Sequence, residues 1–248
     1  MAIYDEALLS KLLPKCRIEA FKSVGSTQEI AKKSDWDSSE KPLVIIANEQ
    51  KDGHGRYGRA FYSPANTGIY FSLIVPPYQI TPGLFTTGIA VSIYKALMIY
   101  FPHKDLQFKW VNDLYLAGKK VGGILIEKES DRLVCGVGLN VSTVQFPKSL
   151  KKVASSINQD NFIEREYLLA AIINQIIQDI PSYNNGQHLT LYREKSLLLN
   201  QSVNIKVNNG FFDGIATDIT DNGELVLQNS TQRYIINSGE VTKIRKNN

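Results

Sequence analysis

Residues 43–47 (Leu-Val-Ile-Ile-Ala) form an unbroken apolar run of strand length, which predicts a strand covered on both faces. A second strand is expected over residues 69–75, closed by Pro76-Pro77. The period then changes: Phe85, Ile89, Ile93, Leu97 and Phe101 recur every four positions and mark one face of a helix that stops before Pro102. Residues 114–116 and 121–127 flank Ala117-Gly118 and predict a hairpin. Residues 133–141 predict a further strand, in which Gly136 and Gly138 let another group approach the backbone. Leu168, Leu169, Ile172, Ile173, Ile176, Ile177 and Ile180 form a helical stripe ending at Pro181, and a shorter helix is expected over 189–198. Upstream, Ser26-Thr27-Gln28-Glu29 fits a capping box, with Ser26 as N-cap and Glu29 reaching back, followed by a short helix through Lys33.

The pattern shifts near Asn200. From there short strands are separated by tight-turn signals, Asn208-Asn209-Gly210, Asp221-Asn222-Gly223 and Ser238-Gly239, which predict a small antiparallel barrel of about five strands. The expected division is residues 1–195 and 196–248. The balance of 43% hydrophobic and 21% charged residues supports a sizeable core. No apolar run approaches the roughly 20 residues needed to cross a bilayer, and the first residues lack a signal-peptide pattern. Cys16 and Cys135 lie far apart in the chain and read as reduced thiols, from which a cytoplasmic location follows. The net charge of +4 is too mild to point to nucleic acid. The local basic clusters, residues 51–59 and 109–120, suit a local anionic ligand instead.

Three segments carry candidate chemistry. Residues 48–59 follow a buried strand and interleave Gly53, Gly55 and Gly58 with His54, Arg56 and Arg59. Freed backbone N–H groups and guanidinium groups make a cradle for phosphate or carboxylate, although a solvated hairpin with incidental charge has the same composition. No Gly-Lys-Ser/Thr closes it, so it is not a P-loop. Lys109-Trp110-Val111-Asn112-Asp113 leads to Lys119-Lys120-Val121-Gly122-Gly123, where a lysine can set a point charge on a phosphate and a flat ligand can lie on glycine. Edge-strand lysines and an Asn-Asp turn would look alike. The third segment, Gly136 to Asn140, ends a glycine-bearing strand in an amide that suits either a nucleobase edge or a turn cap. His54, His103 and His188 lack metal-ligand spacing, so no structural metal is expected.

Taken in order, these segments resemble the catalytic core of biotin–protein ligases. The family's Ser-Thr-Asn helix start corresponds to Ser26-Thr27-Gln28, and its Gly-Arg-Gly-Arg-x-Gly-Arg loop to Gly53-His54-Gly55-Arg56-Tyr57-Gly58-Arg59. Its Lys-Trp-Pro-Asn-Asp corresponds to residues 109–113, Lys-x-x-Gly-Ile-Leu to Lys120 through Leu125, Gly-x-Gly-x-Asn to 136–140, and a late Gly-Glu to Gly239-Glu240. Four departures stand out: Gln28 for Asn, His54 for Arg, Phe61 for Trp, and Val111 for Pro, the last relaxing a strand end.

The resemblance implies an α+β core like that of class II aminoacyl-tRNA synthetases, with a small C-terminal Src-homology-3-like β-barrel. About 16 residues precede the first core strand, which suggests the ligase-only group without a DNA-binding winged helix. The implied reaction joins biotin and ATP (with Mg2+) into biotinyl-5′-AMP and pyrophosphate, then moves biotin to a lysine of a biotin carboxyl carrier domain of a carboxylase. Lys120, Arg56 and Arg59 are the expected catalytic clamp. Ser26, Thr27, Gln28, Gln50, Gly53, Arg56, Lys120 and Gly123 are expected to bind biotin. Arg56, Arg59, Phe61, Lys109, Asn112 and Asn140 are expected to bind ATP and the adenylate. Residues 51–62 are expected to act as a mobile lid. The family admits a homodimer through the core sheet; no DNA or membrane partner is expected. Rival readings are a lipoate or octanoate ligase, whose Arg-Arg-x-x-Gly-Gly-Gly segment is missing, a non-catalytic biotin-sensing regulator, and a nucleic-acid module using the terminal barrel.

Overall fold

A computed structural model describes residues 4–38, 40–129, 132–158, 164–207 and 210–245. Asp5 caps helix α1 (Glu6–Leu12) by accepting from Leu8 N at 2.9 Å, and Leu9 anchors it in the core. Strand β1 (Arg17–Phe21) pairs parallel with β2 (Leu43–Ala47), which pairs antiparallel with β3 (Gly68–Val75). The sheet continues through β7 (Leu133–Asn140), β6 (Lys119–Lys128), β5 (Asp113–Leu116) and β4 (Leu106–Lys109), giving seven strands in the order β1-β2-β3-β7-β6-β5-β4.

The apolar run of β2 is covered on both faces, as its composition predicts. Val44 and Ile46 join the main core with helices α3 (Pro82–Tyr100) and α4 (Arg165–Asp179). Leu43 and Ile45 face the other way, onto Ala31 of helix α2 (Thr27–Lys33) and Trp36. Strand alternation thus splits one run between two cores. Fully burying an Ile or Leu contributes roughly 1.5–3 kcal/mol, so this sheet is a firm platform for whatever its edges carry. Both cysteines are buried free thiols, and burial raises Cys16 to about 11 and Cys135 higher still.

The expectation that no stretch nears membrane-spanning length needs correction. Helix α3 has 19 residues, Pro82–Tyr100, with a hydropathy of 1.3, long and apolar enough by length and composition alone. Its apolarity is instead spent in the core: Phe85, Ile89, Ile93, Leu97 and Phe101 are buried, as are Leu84, Ala90, Val91 and Ala96 off the predicted stripe. The helix expected over 189–198 is also shorter, ending at Glu194 as α5 (Leu189–Glu194). Beyond it the chain turns extended because Phe108 N donates to Lys195 O and Leu197 N to Phe108 O, at 2.9 and 2.8 Å.

The C-terminal part is a five-stranded antiparallel sheet, β11-β10-β9-β8-β12, made of β8 (Ser202–Val207), β9 (Gly210–Ile219), β10 (Leu225–Gln228), β11 (Arg233–Ile236) and β12 (Glu240–Arg245). The expected turns lie at 221–223, where Gly223 has φ 78°, and at 238–239; Asn208 and Asn209 fall outside the described residues. This sheet docks closely on the first. Trp110 Nε1 donates to Gly223 O at 2.9 Å, and Arg193 Nε to Ile219 O at 2.7 Å. A side chain at Gly83, at the start of α3, would run into Asn222 O. Docking brings the turn before β12 to the open edge of the first sheet.

Candidate functional site

A cavity of about 290 Å3 lies between α2, the loop at residues 48–63, strands β5–β7 and the start of β12. All but one of the predicted site residues line it: Ser26, Thr27, Gln28 and Gln50 at one end, and Arg56, Arg59, Phe61, Lys109, Asn112, Lys120, Gly123 and Asn140 around the rest. Gly53 is the exception. Its space is filled by neighbours, since a Cβ there would meet Ser63 Oγ at 2.8 Å and Gln50 Nε2 at 2.9 Å. The glycine shapes the loop, with Gly53 O accepting from Phe61 N at 2.7 Å, and does not face the cavity.

The Ser26 end is polar and buried. The capping box is not formed: Ser26 stands at the N-cap without a side-chain hydrogen bond. Gln50 satisfies the helix end from the loop instead, its Oε1 accepting from Thr27 N at 2.9 Å and Thr27 Oγ1 at 3.1 Å. Glu29, freed from capping, pairs with Lys32 at 2.6 Å, which lowers its carboxyl below the usual range. Gln50 Nε2 donates to Ser63 Oγ at 3.1 Å, which fixes the direction of the Gln50 amide.

The other end is cationic, and each cation is held by a specific partner. Lys120 Nζ lies 2.7 Å from Asp113 Oδ1 and 5.9 Å above the centre of the Phe61 ring. Phe61 can lie this deep because Gly138 has no side chain; a Cβ there would sit 2.5 Å from the ring. Gly123 makes the same allowance for Lys120, whose Nζ would be 3.0 Å from an added Cβ. Lys109 Nζ donates to Val241 O at 2.9 Å. Burial, helped by Lys120 and Arg59, lowers the Lys109 ammonium below its ordinary value, against the pull of Asp113 and Glu240.

The glycine loop turns over at residues 56–58, where Tyr57 and Gly58 have φ of 59° and 67°. It reaches across to two elements. Arg56 Nη1 donates to Asn112 Oδ1 and to Gly239 O, both at 3.3 Å. Arg59 makes a two-pronged pair with Glu240, one prong at 2.6 Å. Residues 53–59 therefore touch both the Asn112 corner and the C-terminal sheet, closing the cavity from above.

Val111 does not leave a loose strand end, as its place opposite a family proline suggested. Val111 O accepts from Tyr192 OH at 3.1 Å, while Asn112 exchanges bonds with Ile124 at 2.9 Å on both sides. Asn140 donates through Nδ2 to Ser155 O at 3.2 Å, while its Oδ1 is buried with no hydrogen-bond partner among the described residues.

Sequence reasoning missed Asp113 and Tyr115, and it used Glu240 only as a motif match. It also missed Phe146, Leu150, Val153 and Ala154, which line the cavity from the segment after β7. Asp113 was legible as the neighbour of Asn112; the apolar rim carries no local signal.

Known proteins agree with this geometry. The Biotin/lipoate A/B protein ligase family model matches residues 20–142, and the Biotin protein ligase C terminal domain model matches residues 198–243. The chain is 30% identical over 213 residues to the biotin–[acetyl-CoA-carboxylase] ligase of Mycobacterium tuberculosis, covering 82% of this chain and 79% of that one. It is 30% identical over 220 residues to the bifunctional ligase/repressor BirA of Bacillus spizizenii, covering 83% and 67%. A solved structure of biotin protein ligase from Aquifex aeolicus, in complex with biotin and ATP, superposes with a TM-score of 0.81 at 26% identity, covering 93% of this chain and 99% of that one. On these grounds the chain belongs to the biotin protein ligases of the biotin/lipoate A/B protein ligase family.

Proposed function

We propose that the cavity activates biotin with ATP and passes it to a protein lysine, with the Ser26–Gln50 end holding biotin and the cationic end holding the nucleotide. The observation that carries this reading is the meeting of a buried amide-and-hydroxyl pocket with Arg56, Arg59, Lys109 and Lys120 in one cavity. A biotin carboxylate oxygen attacks the α-phosphorus of ATP, and the bond from that phosphorus to the bridging oxygen breaks as pyrophosphate leaves. An acceptor lysine amine, losing a proton, then attacks the anhydride carbonyl, and AMP leaves. Two anions must meet in the first step, so the chain's main work is to supply positive charge and alignment.

Lys120 is proposed to exchange Asp113 for the reacting oxygens. Arg56 and Arg59 are proposed to stand over the phosphates with residues 51–62 as the lid, which keeps water from the anhydride. Magnesium enters with ATP as part of that substrate. The carboxylates lining the cavity, Asp113 and Glu240, are already paired with Lys120 and Arg59, and the described residues hold no cluster of three metal-ligating side chains.

Asn140 fits the adenine end. Its unpartnered, buried Oδ1 calls for a donor, which an adenine 6-amino group is. Asn140→Leu is expected to raise the KM for ATP about tenfold, the scale of one buried hydrogen bond, and to leave the KM for biotin unchanged. Steady-state kinetics with each substrate varied in turn checks this; an equal rise in both would remove Asn140 from the nucleotide site.

The proposal extends to a catalytic core over 1–195 of the class II synthetase type and a Src-homology-3-like barrel over 196–248. It includes a carboxylase's biotin carboxyl carrier domain as acceptor, cytoplasmic residence, no DNA or membrane partner, and a homodimer through the core sheet. ATP–pyrophosphate exchange with biotin, lipoate and octanoate offered in parallel tests the central claim. Exchange with biotin alone supports it, and exchange driven by lipoate or octanoate would replace it with the rival acyl ligase.

A further inference from the structure

Behind the biotin end of the cavity lies a charged group that faces no substrate. Glu127, on β6, does not line the cavity, yet its Oε2 accepts from Gln28 Nε2 at 2.9 Å, and its Oε1 is 3.3 Å from Lys32 Nζ. Gln28 Nε2 also donates to Val134 O at 3.2 Å, and Gln28 Oε1 accepts from Ser72 Oγ at 2.9 Å. Gln28, Ser72 and Thr27 are all buried.

A glutamine amide has two ends of nearly equal size, so only its partners decide which end faces which way. Here the partners leave no choice. A carboxylate and a backbone carbonyl can only accept, and together they take both N–H bonds of the Gln28 amide. The carbonyl end is then turned toward Ser72 and Gly136, two residues that line the cavity. Gly136 leaves room for it: a Cβ there would fall 2.5 Å from Gln28 Oε1. Ser72 donates to that oxygen, and Thr27 Oγ1 lies 3.0 Å from Ser72 Oγ. The network presents oxygen acceptors at the ring end of the cavity.

From this we infer that Glu127 is a positioning residue for biotin recognition: it locks the Gln28 amide with its oxygen toward the cavity, where it accepts a ureido N–H. Lys32 holds the carboxylate from the solvent side and is itself paired with Glu29 at 2.6 Å. Glutamine at position 28, where the family pattern has asparagine, is long enough for its amide to reach Glu127 and Val134 across the bare backbone of Gly136. Without Glu127 only Val134 O holds the N–H end, so the flipped amide becomes accessible, and in it a donor would face a donor. The inference rests on the biotin-site reading above.

The test compares biotin with a biotin N-methylated on the ureido ring, in wild type, Glu127→Ala and Glu127→Gln, by pyrophosphate exchange. In Glu127→Ala the KM for biotin is expected to rise about tenfold, while kcat and the KM for ATP stay within about twofold. The preference for biotin over the methylated analogue is expected to shrink severalfold, because the acceptor that rewards the N–H is no longer held. Glu127→Gln keeps the shape of the site, and serves if the alanine variant fails to fold. Its amide can accept from the N–H end of Gln28 or donate to the carbonyl end of the flipped amide, so an intermediate loss of preference is expected. An unchanged preference ratio in both variants would overturn the positioning role, whatever happened to overall activity. Failure of wild type to exchange with biotin at all would overturn the site reading instead.

Discussion

Replacing Lys120 with alanine is expected to slow biotin adenylation by about 10²–10³-fold, the cost of removing one preorganised charge from a developing anionic centre. The geometry makes the loss larger than that of a single contact. Lys120 is ion-paired to Asp113 at 2.7 Å. Its removal leaves the Asp113 carboxylate in the cavity without its cation, close to where the phosphates must come. The double variant Lys120→Ala/Asp113→Asn should therefore recover part of the rate lost in the single variant. Biotin-dependent ATP–pyrophosphate exchange measures both. A wild-type rate in Lys120→Ala would take the lysine out of the clamp, and no recovery in the double variant would mean that Asp113 does not oppose the substrate.

The second large effect is expected at the lid. Arg56→Gly should let activated biotin leave the site and label nearby lysines without selection. One guanidinium nitrogen joins the loop to Asn112 Oδ1 on one side and to Gly239 O, in the turn before β12, on the other. Hydrogen bonds from a charged donor contribute about 1.5–3 kcal/mol each, so losing both would raise the release rate by about two to four orders of magnitude if the groups were buried; solvent screening of these partly exposed groups lowers the expected rise to about one to two orders. The glycine also adds backbone freedom to a loop that already turns at Tyr57 and Gly58. Release of radiolabelled adenylate into solution, together with biotinylation of a bystander protein lacking a carrier domain, measures the escape. Release no faster than in wild type would show that the Arg56 bridges do not retain the intermediate.

Both predictions depend on partners that the chain places far apart, and this marks where sequence reasoning reaches its limit. Apolar runs of strand length located β2 and β3, and helical apolar stripes located α3 and α4, because burial of those side chains dominates the local free energy, wherever the partners come from. The chemistry-bearing residues were also legible: a lysine before Gly-Gly, arginines among glycines and a strand-ending asparagine are unusual enough in combination to point to one anionic site. Local rules failed where a long-range partner outbid a near one. The Ser26 capping box gave way to Gln50, 23 residues from Thr27. The helix from Leu189 ended early because Lys195 and Leu197 could pair with Phe108. Gly53, a loop glycine by sequence, proved to be a packing position under Ser63 and Gln50.

Residue type and local spacing thus settle the main strands and helices, the inventory of cations and amides, and the resemblance that named their chemistry. Tertiary structure alone decided which groups face one another: Lys120 with Asp113, Arg59 with Glu240, Glu127 with Gln28, and α3 in the core despite its membrane-like composition. Ion pairs and amide orientation depend on distances of a few ångströms between residues tens to hundreds of positions apart, and those distances exist only once both sheets have packed.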